Sequence, residues 1–474
     1  MMYCFLDVFL IRYILSFEHC MLHKIISRGL DEKNDKLHKL PISLCILTNW
    51  VRYENILTSR RFRCKVFDIA AMLGNVDTMI WASKHRTLIT IGSEIVSRRT
   101  FCWSWETSVI AANNEQLGSL MWLRAHACPW NYYTANAVVE TGRIDILEWI
   151  VSQYCAVHAK TSAAAARKGN LTILQLLRSW DCPWDERTCA EAAGGGHWEV
   201  LQWARGQGCP WDSTTCSSAA ESCQWDILKW ARSEGCPWDE KTCAAAAGGG
   251  HLELLQWLRG QGCPWNEQVC CTAAEKGHLE VIKWARSEGC PWNRLTCYAA
   301  AYFGHLELLQ WLRGQGCPWN EQVCSAAARK GHLEVLKWAR GQGCSWDKDV
   351  CSGAAENGHF EVLKWARGQG CRWDSRTCFH AASYGNLEVV KWVVSRGCPM
   401  DETTCRAAAS SDNLEILQWL RGQGCPWDRN ICTYAANGGH WEVLQWALDQ
   451  GCFWEEEGRL CYMKGKAVNI CFVI

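Results

Sequence analysis

The sequence predicts an all-α solenoid of about fourteen helix–turn–helix repeats, and three observations carry that expectation. Cysteine recurs every 27 residues from Cys128 to Cys452, and a second series keeps the same step from Cys189 to Cys432. The two series hold 13 and 10 of the 32 cysteines, so most of this residue type obeys one clock. Tryptophan shares that clock at Trp122 and Trp149, and then at every 27th residue from Trp203 to Trp446. Between the cysteine columns, each unit reads as two short helical stretches split by a glycine turn. A fixed period in this range marks stacked units, because one unit cannot bury its apolar face alone.

Taken in order, residues 1–59 lie outside the register and read as an amino-terminal helical segment of unassigned role. Met2 to Phe17 is apolar, but Asp7 and Arg12 interrupt it, and a membrane span needs about 20 apolar residues. Neither the basic start nor the small-residue cleavage site of a secretory signal is visible, so an amphipathic helix is expected there. Residues 60–100 hold a degenerate first repeat, IAAMLGNVDTMIWA, followed by an insertion at 87–100 that breaks the phase. Thirteen units of 27 residues tile 101–451, and 452–474 read as a terminal cap or tail.

The unit Cys182 to Gly208 (CPWDERTCAEAAGGGHWEVLQWARGQG) shows the logic. Asp185 in column four suits a helix N-cap, since its side chain can accept an otherwise orphaned backbone N–H. The alanine-rich ERTCAEAA makes a slim first helix that neighbours can approach closely. Gly196 and His197 form the turn, and Glu199 falls in the first turn of the second helix, where it favours the helix dipole. Gly208 follows the second helix as a C′ glycine, and Pro210 comes where no helix can continue. Trp198, Leu201 and Ala204 fall on one stripe with Val200 and Trp203 beside it, which suits a helix packed between two neighbours.

The stretch TCAAAAGGGHLELLQWLRGQG, Thr242 to Gly262, resembles the ankyrin repeat in its Thr, its Ala-Ala pair, its Gly-His-Leu-Glu turn and its closing Gly. The resemblance extends over about 60–460. It departs from the family in length, because the ankyrin unit is about 33 residues and this one is 27. The shortfall lies where the family carries its β-hairpin finger, so the fingers are expected to shrink to a Cys-Pro-Trp-Asp turn. A cysteine such as Cys189 also stands where the family has Thr-Pro-Leu. Tandem short units of this type resemble ankyrin proteins of large DNA viruses and of algae and other protists.

The recurring Cys182, Cys189 and His197 have ligand-type chemistry, but zinc sites typically space paired cysteines two to four residues apart in a loop. Free cysteine also behaves as a small buried hydrophobe. Packing is therefore the expectation, with metal binding and disulfides as the alternatives weighed, and no cofactor is expected. The histidines at His197, His251, His278, His305, His332, His359 and His440 match the ankyrin turn and read as structural. Trp203, Trp230, Trp257, Trp284, Trp311, Trp338 and Trp365 take the place of the ankyrin helix-two leucine and are expected in the core. Trp184 and its counterparts follow the turn proline and should cap the seam between units.

Lysine plus arginine equals aspartate plus glutamate, 49 of each, so nothing steers the chain onto nucleic acid or an anionic membrane. No nucleophile elbow, P-loop, HExxH or dinucleotide fingerprint occurs, and no enzyme is expected. With no stretch able to cross a bilayer, a cytoplasmic, monomeric chain is expected, and the resemblance implies an interaction scaffold for a protein partner. An F-box-like ubiquitin-ligase adaptor using FLIRYILSFEHC within residues 1–59 is an alternative, and a cysteine-rich metal-binding repeat protein is another.

Columns thirteen and fourteen vary between units while their neighbours repeat, so packing does not dictate them. They include Tyr302-Phe303, Arg329-Lys330, Glu356-Asn357 and Ser383-Tyr384. In the ankyrin family these positions, at the end of helix one, commonly contact partners. Exposed aromatics beside arginine have the composition of interface anchors. Tyr302, Phe303, Arg329, Lys330, Glu356, Asn357 and Tyr384 are therefore the expected partner-binding residues.

Overall fold

The structure, a computed structural model, describes residues 67–84, 89–91, 94–96, 103–428, 430–438, 440–452, 454–456 and 459–461. The segment 1–59, with its F-box-like phrase, lies outside the described residues, as do the start of the degenerate first unit and most of the tail.

The described chain is a helical solenoid in which each 27-residue unit contributes two antiparallel helices of nine or ten residues. In the unit that begins at Cys182 these are Glu186–Gly194 and Trp198–Gly206. The first helix of each unit packs side by side with the first helices of the units before and after it, and the second helix backs it from one side. The degenerate unit supplies a helix at 67–72 and another at Val76–Lys84. Two short antiparallel hairpins depart from the all-helical pattern. One pairs Ile89–Ile91 with Glu94–Val96 inside the phase-breaking insertion, and the other pairs Trp454–Glu456 with Arg459–Cys461 after the last unit.

Helix boundaries follow from local chemistry. Asp185, Asp212, Asp239, Asn293, Asp347, Asp374 and Asp401 sit in extended backbone, and each accepts a hydrogen bond from the N–H two residues on. Such caps are worth about 0.5–2 kcal/mol each, and here they recur along the rod. The turn between helices needs a left-handed residue. Gly250, at φ 78°, supplies it, and a Cβ there would also meet the His278 ring at 2.6 Å. Glycine at this position lets the next unit's imidazole lie against the backbone.

That imidazole is a staple between units. His197 Nε2 donates to the Arg167 carbonyl at 2.9 Å, His278 to Gly248 at 3.1 Å, His305 to Glu275 at 3.0 Å and His440 to Ser410 at 2.9 Å. Each acceptor belongs to the last turn of the preceding unit's first helix, where carbonyls have no intrahelical partner. One side chain thereby caps the end of its neighbour's first helix.

The core runs unbroken along the rod. Its columns are the column-one and column-eight cysteines, the Ala-Ala pair and three positions of helix two, for example Val200, Leu201 and Ala204. Two readings of helix two need correction here. Trp198 does not share the buried stripe with Leu201 and Ala204; Val200 takes that place and Trp198 is half-buried. Trp203, Trp230, Trp257, Trp284, Trp311, Trp338 and Trp365 are likewise half-buried and pack against the core from its rim. The reason is size. Layers about 8–10 Å apart accommodate leucine and alanine, whereas an indole fits better at the edge.

At that edge each indole has defined partners. Trp184 meets Trp203 edge-on at 5.9 Å, and the Arg178 guanidinium of the preceding unit lies 4.2 Å above the Trp184 ring. Arg205 over Trp211 (4.0 Å), Arg286 over Trp292 (4.0 Å) and Arg313 over Trp319 (4.1 Å) repeat the arrangement. The same arginines donate to the carbonyl of the next column-one cysteine, as Arg178 does to Cys182 at 2.9 Å. The turn tryptophan thus seals the seam between units, held by cation–π attraction of about 0.5–2 kcal/mol per pair.

Candidate functional site

The column-thirteen and column-fourteen residues lie where the first helix ends. The helix Arg294–Tyr302 finishes with Tyr302, and Phe303 is its C-cap. Their rings meet edge-on at 5.1 Å, Tyr298 stacks on Tyr302 at 5.7 Å, and Lys330 of the next unit lies 4.7 Å above the Tyr302 ring. Phe303 remains 47% exposed. One unit on, Arg329 pairs with Glu356 at 3.4 Å, which joins the next two units across the surface. Tyr384 is 55% exposed and its ring covers the space beside Gly358. Asn357 turns back, with Nδ2 donating to the Gly353 carbonyl at 3.3 Å, so its amide is partly used within its own helix.

These seven residues therefore form a stripe over four consecutive units rather than one compact patch. Tyr302, Phe303 and Lys330 touch; Arg329 and Glu356 touch; Tyr384 stands beyond them. Two imidazoles underlie the stripe. His332 Nε2 donates to the Tyr302 carbonyl at 3.1 Å. Burial holds the pKa of His332 below the usual histidine value, and burial does the same for His359, whose ring bonds the Arg329 backbone. Both act as neutral donors that fix the ends of the helices bearing the stripe.

A second exposed aromatic cluster was not anticipated from the sequence. Trp105 stacks on Tyr133 at 5.4 Å, Tyr132 lies 4.3 Å from Tyr133, and Lys160 sits 5.5 Å above the Tyr132 ring. It occupies the start of the first helices of three early units, in columns five and six. The signal was available as aromatic residues in columns that elsewhere hold polar ones, but only the packing of adjacent helices brings them together.

The cysteines have a geometry of their own. Each column-eight thiol faces the column-one thiol twenty residues later, in ten pairs from Cys189–Cys209 to Cys432–Cys452 among the described residues. The column-one thiol also points at the carbonyl of the preceding unit's cap residue, as Cys209 does at Asp185 (3.6 Å) and Cys371 at Asp347 (3.3 Å). Among the described residues, no group of three or more His, Cys, Asp or Glu side chains is placed to hold a metal ion. No described helix is long and apolar enough to cross a membrane.

Comparison with known families bears on the repeat directly. The model for ankyrin repeats in many copies matches residues 270–313 and 297–340, and the model for the single ankyrin repeat matches 374–405. These segments of the chain match ankyrin repeats. No curated protein matches it. Among solved structures, the human ASB11 ankyrin repeat domain is similar at 17% identity, over 33% of this chain and 84% of that chain, with a TM-score of 0.29. Ankyrin repeats generally mediate protein–protein interaction, and the matched segments include Tyr302, Phe303, Arg329, Lys330 and Tyr384.

Proposed function

We propose that this chain is a non-catalytic scaffold that binds a protein partner through the ends of its first helices, centred on Tyr302, Phe303, Arg329, Lys330, Glu356, Asn357 and Tyr384. The observation that carries the reading is the Tyr302–Phe303–Lys330 cluster, a half-buried tyrosine and an exposed phenylalanine with a cation over the tyrosine ring, on a helix end. Large amphipathic rings that are already ordered lose little entropy on binding, which is why aromatics and arginine dominate interface hot spots. The Arg329–Glu356 pair adds a polar rim that can fix register. The balanced charge of the chain argues for a protein partner over nucleic acid.

The test is a quadruple variant, Tyr302→Ala, Phe303→Ala, Arg329→Ala and Tyr384→Ala, measured against a partner captured by the unaltered chain. Binding should weaken by about 100-fold or more, since two hot-spot side chains alone are worth at least about 2.7 kcal/mol. The melting curve should stay within a few degrees of the parent. A control variant at Trp105 and Tyr133 should bind normally; loss of binding there, with the quadruple variant unaffected, moves the site to the other cluster.

A further inference from the structure

We propose that the facing cysteines of adjacent units are redox-active dithiols, closed by peroxide into a ladder of inter-repeat disulfides that covalently staple one unit to the next. The assignment rests on geometry that recurs ten times among the described residues. In each pair the column-eight thiol, inside the first helix, meets the column-one thiol at the turn that opens the following unit. At the last pair Cys432 Sγ lies 2.7 Å from Cys452 Sγ. At three others the column-eight thiol also reaches its partner's own carbonyl, as Cys297 does that of Cys317 at 3.9 Å. The cysteines from Cys189 to Cys425 in these columns are thiols, not disulfides.

Packing alone does not demand sulfur at both positions. In the three earlier units column eight holds Ser108, Ala135 and Ser162, all buried in the same niche. Small size is sufficient there. Yet from Cys189 onward every unit places two sulfurs face to face, the one arrangement in this niche that can form a covalent bond.

In most pairs the chemistry is directional, with the column-one thiol the one held low, whereas in the Cys243–Cys263 pair the column-one thiol is the one raised. The column-one sulfur sits beneath the arginine that covers the turn tryptophan; Arg313, for example, donates to the Cys317 carbonyl at 2.7 Å. The partner's S–H and that cation both favour the thiolate, and they hold the pKa of Cys317 below the usual thiol value while that of Cys297 is raised. The Cys317 thiolate attacks one oxygen of hydrogen peroxide, breaking the O–O bond to give a sulfenic acid and hydroxide. The Cys297 thiol then attacks that sulfenic sulfur, forming the S–S bond and releasing water. Overall two thiols lose two electrons and two protons, and one peroxide becomes two waters. Because the sulfurs are buried, reaction occurs during local openings of the seam, and reclosing traps the pair.

The test uses the full chain, reduced, freed of reductant and exposed to hydrogen peroxide while its helical signal is followed. Alkylation under denaturing conditions and mass spectrometry should show losses of about 2 Da per bond. Joined peptides should carry Cys297 with Cys317 and Cys351 with Cys371, while Cys128, Cys155 and Cys182 stay alkylated. Cys297→Ser, which copies the residue found at Ser162, should lose that one cross-link and leave Cys317 alkylated or overoxidised. Oxidation of Cys317 to sulfinic acid in the parent without joined peptides would overturn the proposal. So would joining of unpaired columns, or disulfides that form only after the helical signal is lost. Peptide mapping of the parent decides the matter even where the variant fails to fold.

Discussion

In the three units before Cys182, column eight holds Ser108, Ala135 and Ser162; from Cys189 to Cys432 it always holds cysteine. Both regions build the same first helix and bury the column completely, but they satisfy the facing cysteine differently. Ser162 Oγ lies 3.4 Å from Cys182 Sγ and donates to the Pro183 carbonyl at 2.9 Å, and Ser108 Oγ shares a hydrogen bond with Thr134 Oγ1 at 2.8 Å. Ala135 offers Cys155 no side-chain polar partner, and burial pushes that thiol up to about 12. In the later region, pairing with a second thiol replaces these solutions. The niche thus selects for volume first, and the sulfur pair is an addition to a fold that stands without it.

The largest expected effect is positional. Leu309 is fully buried with complete units on both sides, so Leu309→Ala should lower the main unfolding transition by about 2–5 kcal/mol. Leu120 is equally buried but lies in the unit that packs directly on the degenerate first repeat. Leu120→Ala should leave the main transition in place and detach an earlier, smaller one, because solenoid stability sums over adjacent units. A single transition shifted equally by both variants, seen by calorimetry, would show the array melts as one body.

Next in size is an exchange between the regions. Ser162→Cys gives Cys182 the facing thiol it lacks, and peroxide should then add one further cross-link, joining position 162 to Cys182. Under reducing conditions the change in stability should be within about 1 kcal/mol, the net worth of one hydrogen bond. A strongly destabilised reduced variant would mean that the early niche cannot hold a second sulfur.

A smaller difference lies in alkaline behaviour. Cys128 and Cys155 are pushed up to about 12, Cys128 by burial and then by the Asp68 carboxylate. An unfolded thiol titrates near about 8.5, so between that value and about 12 the folded state binds more protons. Stability from these two residues is full below about pH 8.5 and declines as pH rises. Denaturant titrations from about pH 8 to about pH 10 should show this loss, and Cys128→Ala with Cys155→Ala should flatten it.

The smallest effect is acidic. His332 and His359 titrate below the usual histidine value, so between their folded pKa and about 6.5 the unfolded state binds more protons. Their contribution is present above about pH 6.5 and is lost as pH falls. The melting temperature should drop by a few degrees or less from about pH 7 to about pH 5. A double glutamine variant with an unchanged slope would assign the acid sensitivity to other groups.

Much of this was legible because the chain repeats itself. Asp185 and its counterparts read as caps because a carboxylate before an alanine-rich run has little else to do, and they do cap. Gly208, at φ 81°, ends the second helix as its place before Cys-Pro implied. The tryptophans misled because residue type points to the core, whereas the space between layers decides which side chains enter it. The interface stripe could be named by its variable columns, but not divided into contacts, since Asn357 bonds its own helix and Arg329 pairs with the next unit.

The sequence by itself determined the period, the helix pairs, their caps and their turns, because each depends on residues a few positions apart. Only the tertiary structure decided what lies twenty to thirty residues apart. Where a turn holds histidine, its ring bonds a carbonyl thirty residues earlier, as His197 does that of Arg167, and each column-eight cysteine faces a thiol twenty residues later. The two cysteine series look independent along the chain, and their pairing exists only once one unit is stacked on the next. Stacking sets the angle and rise between units, and no local propensity encodes those two quantities.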